Sequence, residues 1–264
     1  MTVISQRSAR TDTARSVLVA VLAVLQTVVA GLGGAGKLGG EPIGAVARAY
    51  PTPLLAANWT FAIWAPIYLG FLVYAVYQVL PAQRSRRVHR VTGWWLAASA
   101  VFNAAWVVSF GDRLVPLAEL AIVALMVSLA VVFGRLSRTP ATGVVERVAL
   151  RGPIALYTGW VSLATVLGTA ATGVWAGLPG DGALAVVAAV VVLLAAAAII
   201  IWVVVSGSAV VGYAAAVVWG FTGIALNDPP IGVAGAAAFG VLLTAAAAAR
   251  RVSTAGNPTR AAFG

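Results

Sequence analysis

The stretch NWTFAIWAPIYLGFLVYAVYQ, residues 58–78, is apolar enough for lipid yet unusually rich in aromatic rings. A helix rises about 1.5 Å per residue, so about 20 such residues cross the roughly 30 Å core of a bilayer. A helix would place four rings, spaced three, four and three residues apart, on one stripe: Phe61, Trp64, Tyr68 and Phe71. The indole N–H of Trp64 and the hydroxyl of Tyr68 need partners at this depth, because lipid supplies none. We therefore expect a membrane helix whose rings either pack on other helices or face a ligand pocket.

The composition assigns the whole chain to the membrane proteins. Of 264 residues, 61% are hydrophobic and only 9% are charged, and the mean hydropathy is +0.98, outside the range of soluble domains. The absence of cysteine and the single histidine argue against disulfides, thiolate chemistry and Cys/His metal sites. The net charge of +10 does not indicate a nucleic-acid partner, because the arginines cluster in short stretches between apolar runs.

Eight apolar stretches are long enough to span a bilayer. They cover approximately residues 16–35, 57–80, 92–111, 115–136, 153–177, 183–205, 208–227 and 230–249. We expect an all-α integral membrane protein with about eight transmembrane helices. Residues 1–15 would form an N-terminal tail and residues 251–264 a C-terminal tail.

The distribution of charge predicts the orientation. With the N-terminus in the cytoplasm, fourteen of the 17 basic residues fall on the cytoplasmic side, which agrees with the positive-inside rule. Lys37, Arg48 and Arg113 would lie outside. We therefore expect a multi-pass protein of the cell membrane with both termini in the cytoplasm. The first stretch could instead be a signal peptide, since basic residues precede it, although it lacks a clear cleavage site.

Helices three and five carry similar features. In the third stretch Ser99, Asn103 and Trp106 share one face, and an amide at membrane depth is costly unless it is paired. Asn103 should therefore bond to another helix or to a ligand. In the fifth stretch one stripe combines rings with small residues, which can line a flat cavity: Tyr157, Trp160, Ala164 and Gly168. An apolar, aromatic pocket suits a planar hydrophobic ligand.

Three motifs, in order along the chain, resemble the TspO/translocator-protein family, also called tryptophan-rich sensory proteins. WAPIY (64–68) resembles the family's W-T-x-x-Y element, FNAAW (102–106) its L-N-x-x-W element, and WVSLAT (160–165) its W-V-S-F-A-T element. The resemblance covers about residues 16–177. The chain departs from the family where Gly168 replaces the usual Asn, in the first loop, and in having three further helices.

The resemblance implies a five-helix bundle at 16–177. The three further helices, which the family pattern lacks, would form an extension at 178–250. It also implies binding of a tetrapyrrole, such as protoporphyrin, or of another hydrophobic ligand near the first loop. Together with the stripes it predicts these pocket residues: Phe61, Trp64, Tyr68, Asn103, Trp106, Tyr157, Trp160 and Ala164. Beyond a porphyrin-like ligand we expect no required cofactor. The remaining partners expected are membrane lipid and a second copy of the chain in a homodimer.

Candidate catalytic groups are few. His89 lies in the basic stretch RSRRVHR, where we expect it to be solvated. Glu119 should lie near the headgroups in the first turn after Pro116, where the helix dipole favours it, or alternatively at a pocket rim or in a proton-linked role. We therefore expect no enzyme, except for weak ligand-degrading activity of the kind suggested for the family. A membrane binding or sensory protein fits best, and a facilitated transporter of a hydrophobic small molecule is the alternative.

Overall fold

The computed structural model describes the backbone of residues 2–264 and the side chains from residue 10 onward. It is 82% helical, with no strand in the part described, which confirms the predicted fold class. The eight long helices are α1 (Thr2–Gly34), α2 (Trp64–Val79), α3 (Arg87–Gly111), α4 (Val115–Ser137), α5 (Gly152–Trp175), α6 (Gly182–Ser206), α7 (Val210–Ala225) and α8 (Ile231–Ser253). Four short helices connect or follow them: Ile43–Ala49, Pro81–Arg84, Val144–Glu146 and Pro258–Phe263.

Seven of these helices are long and apolar enough to cross a membrane, and α7 is shorter. At about 1.5 Å per residue, the 16 residues of α7 extend for only about 24 Å. Helix α1 begins at Thr2, so the residues expected as an N-terminal tail continue the helix. Inside this extension Asp12 pairs with Arg15 at 2.7 Å and with Arg90 of α3 at 2.5 Å. These ion pairs connect the start of α1 to α3.

Pro66 lies near the start of α2 and does not interrupt it. Residues Asn58–Ile63 form a 3₁₀-helix that continues directly into α2 at Trp64. Pro66 is the third residue of the α-helical part, where its missing N–H costs little because the first turn leaves such groups unpaired anyway. The change from 3₁₀ to α therefore explains how a proline is accommodated in a continuous apolar helix.

The first five helices form a closed bundle in the order α1, α3, α4, α5, α2. Its core is a cluster of buried apolar side chains that includes Ile67, Phe71, Leu125 and Trp160. A second buried cluster lies among α5, α6, α7 and α8, where α7 packs on α5, α8 on α7, and α6 on α8. Helix α5 contributes to both clusters, so the last three helices form a continuous layer on the bundle.

A close approach joins α5 to α7. A Cβ atom at residue 159 would collide with the backbone carbonyl of Tyr213, so only glycine fits there. The Ser162 and Tyr213 hydroxyls lie 3.1 Å apart and hydrogen-bond across the same contact. This contact fixes the three-helix extension against the bundle.

Candidate ligand-binding site

A small cavity lies between α2, α3, α5 and the first loop. Its volume is about 60 Å³, and its wall is almost entirely apolar. The helices contribute Phe61, Trp64, Trp106, Phe110, Trp160, Ala164, Leu167, Gly168 and Ala171, and the loop contributes Ala47, Tyr50, Thr52 and Leu55. The cavity therefore lies at the end of the bundle where the sequence predicted a pocket near the first loop.

Trp64 is the centre of the aromatic wall. Its ring stacks on Tyr68 with centroids 5.4 Å apart and planes at 14°, and it lies against Trp106 at 5.4 Å and 31°. It also meets Trp160 and Tyr157 edge to face, each at 6.0 Å. Such edge and offset contacts are the favoured arrangements of aromatic pairs. One indole therefore connects the rings contributed by three different helices.

Five of the eight predicted site residues line the cavity: Phe61, Trp64, Trp106, Trp160 and Ala164. The other three lie deeper in the bundle. Tyr68 donates a hydrogen bond from its hydroxyl to Oδ1 of Asn103 at 3.1 Å, and Asn103 is fully buried. Tyr157 is 1% exposed, packs on Phe71 and lies nearly perpendicular to the ring of Trp64. These three side chains support the wall from behind.

The cavity also contains residues that the sequence patterns did not single out. Phe110 follows Trp106 by one helical turn, and Leu167 and Ala171 continue the stripe of α5, so the helical period could have identified them. Tyr50 comes from the first loop, where no periodicity indicates which side chains turn inward. The helical wall was thus predictable from spacing, whereas the loop wall was not.

The wall holds two polar groups that have no protein partner. The indole nitrogens of Trp64 and Trp160 are buried, and neither N–H has an acceptor among the described residues. Nδ2 of Asn103, which lies deeper in the bundle, is also buried without an acceptor among the described residues. Buried donors are nearly always paired in folded proteins, so unpaired ones need an explanation such as a bound molecule or water. Trp64 and Trp160 both line the cavity, so their unpaired N–H groups are the candidate donors to a ligand.

The first loop covers the cavity and is attached at several points. Glu41 accepts from Nε of Arg113 at 2.5 Å and from its Nη2 at 3.1 Å, and the backbone N–H of Glu41 donates to Gly111 at 2.9 Å. The hydrogen bond from Arg113 lowers the pKa of the Glu41 carboxyl. Further along, Asn227 Nδ2 donates to the carbonyl of Leu55 at 3.0 Å. The loop is thus held by α3 on one side and by the segment after α7 on the other.

Glu119 lies directly behind the cavity wall. Its Oε1 accepts a 2.6 Å hydrogen bond from Thr169, and its Oε2 is buried without a partner in the part of the chain described. The same Oε2 occupies the space next to Gly168, a lining residue. The sequence left three roles open for Glu119: a position near the headgroups, a position at a pocket rim, or a proton-linked role. This geometry favours the pocket rim.

The expectation that His89 is solvated was wrong. His89 is fully buried at the opposite end of the bundle, between the rings of Tyr74 at 5.8 Å and Tyr77 at 5.5 Å. Helix α3 begins at Arg87, so His89 belongs to its first turn and points inward. The basic residues next to His89 in the sequence did not indicate its burial. Neighbouring residues of a helix point in different directions, so His89 can point inward while basic neighbours point to the surface.

Arginines from separate basic segments of the sequence meet at that same opposite end. Arg15 of α1 donates to the carbonyl of Arg84, Arg86 bonds to Glu146 before α5, and Arg260 reaches the carbonyl of Ser137 at 3.5 Å. The arrangement agrees with the predicted grouping of basic segments on one side. That this side faces the cytoplasm, and that the membrane is the cell membrane, stay predictions.

Comparison with known proteins places the chain in a family. No curated protein and no solved structure matches it. A family model described as TSPO-like protein matches residues 16–249. The match continues past residue 177 through α6, α7 and α8, so the expected limit of the resemblance was too narrow. The chain therefore belongs to the TSPO-like protein family.

Proposed function

We propose that the protein is a membrane receptor that binds a planar hydrophobic ligand, such as a tetrapyrrole, in the aromatic cavity. Membership in the TSPO-like family supports a membrane binding or sensory role in general. The observation that carries the proposal is the pair of unpartnered indole N–H groups of Trp64 and Trp160 in a wall of stacked rings. Such a wall offers flat apolar surfaces together with two donors that fix the orientation of a ligand.

The cavity must enlarge to accept such a ligand. Its 60 Å³ is far below the volume of typical ligand pockets, about 300 to 1,000 Å³. The helical part of the wall is fixed by the bundle core. The loop part, Ala47 to Leu55, is held by the hydrogen bonds of Glu41 and Leu55 and by buried apolar side chains of the first loop, Val46 and Leu54 among them. A loop opens more easily than packed long helices, so we propose that ligand entry moves the first loop away from α3 and α5.

The interior below the cavity favours binding over transport. Phe71, Tyr74 and Tyr157 are each no more than 1% exposed and fill the bundle between the cavity and His89. A carrier would need a second route toward the arginine-rich end, and these rings block it in this conformation. The described cavity lining also contains no histidine, carboxylate, lysine or arginine, and Tyr50 is its one titratable side chain. We propose no enzymatic role.

A titration with protoporphyrin tests the proposal. The purified full chain in detergent is titrated while tryptophan quenching and the porphyrin absorption band are followed, and both signals are fitted to one Kd. Trp64→Phe and Trp160→Phe each remove one indole N–H while keeping a ring. We expect each to raise the Kd about tenfold, because a buried hydrogen bond and part of an aromatic contact are lost.

Trp202→Phe is the matched control, because Trp202 lies on α6 with 67% of its surface exposed and outside the cavity. It should leave the Kd unchanged. Lack of saturable binding to the wild-type protein would refute tetrapyrrole binding. Equal loss of affinity in all three variants would show that the porphyrin binds elsewhere or only partitions into the detergent.

A further inference from the structure

An arginine-lined cleft lies at the end of the bundle opposite the cavity. It has a volume of about 670 Å³ and is formed by the start of α3, the end of α4 and the segment that leads into α5. Five arginines and one glutamate line it: Arg86, Arg87, Arg135, Arg138, Arg151 and Glu146. The lining therefore carries a formal net charge of plus four. So many cations around one opening repel each other, and an anion placed there is attracted by all of them.

The single glutamate neutralises only the inner part of the cleft. Glu146 is 2% exposed and accepts from Arg151 at 2.8 and 3.0 Å and from Arg86 at 2.5 Å. Arg151 further donates to the carbonyls of Leu136 and Thr139, each at 2.7 Å. These two arginines are therefore held in place as the floor of the cleft.

The outer arginines are not neutralised by any carboxylate. Arg87 and Arg138 are exposed, and their side chains have no partner in the region described. Arg135 donates to the carbonyl of Val91 and lies 5.7 Å from the centre of the Trp95 ring. Arg15 and Arg90 differ in this respect, since they pair with Asp12. The cleft thus gathers several cations that no carboxylate neutralises.

The surroundings of the cleft indicate lipid headgroup depth. Trp94 and Trp95 lie two turns into α3 from the cleft, Trp94 is 49% exposed, and tryptophan is enriched at the membrane interface. Val144, Val145 and Val148 flank Glu146 in the sequence and are all more than 60% exposed. Exposed valines are expected next to lipid tails rather than next to bulk water. The opening therefore has apolar surface beside it and cationic groups inside it.

We propose that this cleft binds the phosphate headgroup of an anionic phospholipid. Arg87, Arg135 and Arg138 contact the phosphate, and the planar guanidinium groups suit its oxygens because they can donate two parallel hydrogen bonds. The acyl chains lie along the exposed apolar residues of α3 and the segment before α5. A zwitterionic lipid is held less well, because its choline group brings a positive charge to the same cations.

The test compares lipids and variants by native mass spectrometry of the full chain released from detergent micelles. Phosphatidylglycerol and phosphatidylcholine are titrated in separate arms, and inorganic phosphate is added as a competitor in a third arm. We expect phosphatidylglycerol to bind the wild-type protein at least tenfold more tightly than phosphatidylcholine. Each of Arg87→Gln and Arg138→Gln should weaken phosphatidylglycerol binding about fivefold, and the double variant about 30-fold.

Arg250→Gln is the matched control, because it removes one exposed cation near the end of α8, outside the cleft. It should change the affinity less than twofold. Equal affinity for the two lipids, or equal losses in the control and in the single cleft variants, would overturn the proposal. Binding of inorganic phosphate as tight as that of phosphatidylglycerol would also overturn it and would identify a site for small anions instead. Arg86 and Arg151 are left unchanged in all variants, since they hold Glu146.

Discussion

The carboxylate of Glu119 fills the space that a side chain at residue 168 would need. A Cβ atom built on Gly168 would collide with Oε2 of Glu119, and the other oxygen of that carboxylate accepts the 2.6 Å hydrogen bond from Thr169. Glycine at 168 and glutamate at 119 therefore depend on each other. The departure of Gly168 from the family's usual Asn thus coincides with a carboxylate packed directly behind the pocket wall.

We predict that Gly168→Ala stabilises the protein only in a background that lacks the Glu119 carboxylate. Alanine in a helix is more favourable than glycine by about 1 kcal/mol. In the wild-type protein the new methyl group displaces the carboxylate and breaks the hydrogen bond to Thr169, which offsets that gain by about 1 kcal/mol or more. In a Glu119→Ala background the space is free, so Gly168→Ala should raise the melting temperature in detergent.

Gly134→Ala serves as the control for that measurement. Gly134 lies in α4, and no atom would lie within 4 Å of an added Cβ, so the substitution reports only the intrinsic preference for alanine. It should raise the melting temperature in both backgrounds equally. If Gly168→Ala also gave the same shift in both backgrounds, residues 119 and 168 would not be in contact.

The hydrogen bond between Tyr68 and Asn103 gives a second prediction. Asn103 is fully buried, and its Oδ1 accepts from the hydroxyl of Tyr68 at 3.1 Å. Tyr68→Phe or Asn103→Leu alone leaves one polar group buried without a partner, which costs about 1 to 3 kcal/mol. The double variant removes both groups and should be closer in stability to the wild-type protein than either single variant.

Chemical denaturation of the purified variants in mild detergent measures this difference. The coupling between the two positions is the cost of the double variant minus the costs of the single ones. Additive losses would show that the amide and the hydroxyl do not depend on each other. Porphyrin affinity should fall in both single variants, because Tyr68 supports the ring of Trp64.

The sequence allowed the helical half of the pocket to be predicted, because spacing determines which residues share a face. Trp64, Trp106 and Trp160 lie on stripes of three separate helices, and packing these apolar helices into one bundle brings the stripes together. Tyr50 was not predictable, because a loop has no period that relates position to direction. Its inward position depends on tertiary contacts of the loop with α3 and α7.

His89 shows the effect of an error in a helix boundary. The apolar run suggested a helix from residue 92, whereas α3 begins at Arg87. Those additional residues carry His89 from a solvated loop into the first turn of a helix, on its inner face. The apolar run marks only the part of a helix that lies in lipid. The helix can continue beyond that run through charged residues that have ion-pair partners. In α1, likewise, Asp12 and its arginine partners lie outside the apolar run, which begins at residue 16.

The two ion pairs at opposite ends of the bundle should differ greatly in their effect on stability. Glu146 is 2% exposed and joins Arg86 and Arg151, and Arg151 is 1% exposed. Removing one partner of such a buried pair costs about 3 to 5 kcal/mol, because the other charge is left in a poorly solvated place. Glu146→Ala should therefore lower the melting temperature strongly. Glu41→Ala, which removes a partner from the exposed pair with Arg113, should leave it nearly unchanged.

Melting curves of both variants in the same detergent check this contrast. Glu146→Gln keeps the shape of the side chain and some of its hydrogen bonds, so it should lie between Glu146→Ala and the wild-type protein. Similar losses for Glu41→Ala and Glu146→Ala would mean that the depth of burial does not decide the strength of these pairs.

The pair of Glu41 and Arg113 should instead affect the rate of ligand entry, because it holds the loop that covers the cavity. Since the hydrogen bond from Arg113 lowers the pKa of Glu41, the carboxylate is charged at neutral pH. The contact is fully present above the ordinary pKa of 4.5 and is lost only as the pH falls through the lowered value. We therefore expect the association rate of protoporphyrin to be constant from neutral pH down to about 5 and to rise in more acidic solution.

Arg113→Ala should reproduce that rise at neutral pH. Without the guanidinium this end of the loop keeps only the backbone hydrogen bond from Glu41 to Gly111, so the open conformation is more populated and stopped-flow quenching should give an association rate about two- to fivefold faster. The dissociation rate should rise too, so the Kd changes less than either rate. Lys37→Ala removes an exposed cation from the same loop and should leave both rates unchanged. Equal rates in Arg113→Ala and the wild-type protein would mean that the ligand enters without movement of this end of the loop, for example sideways between the helices.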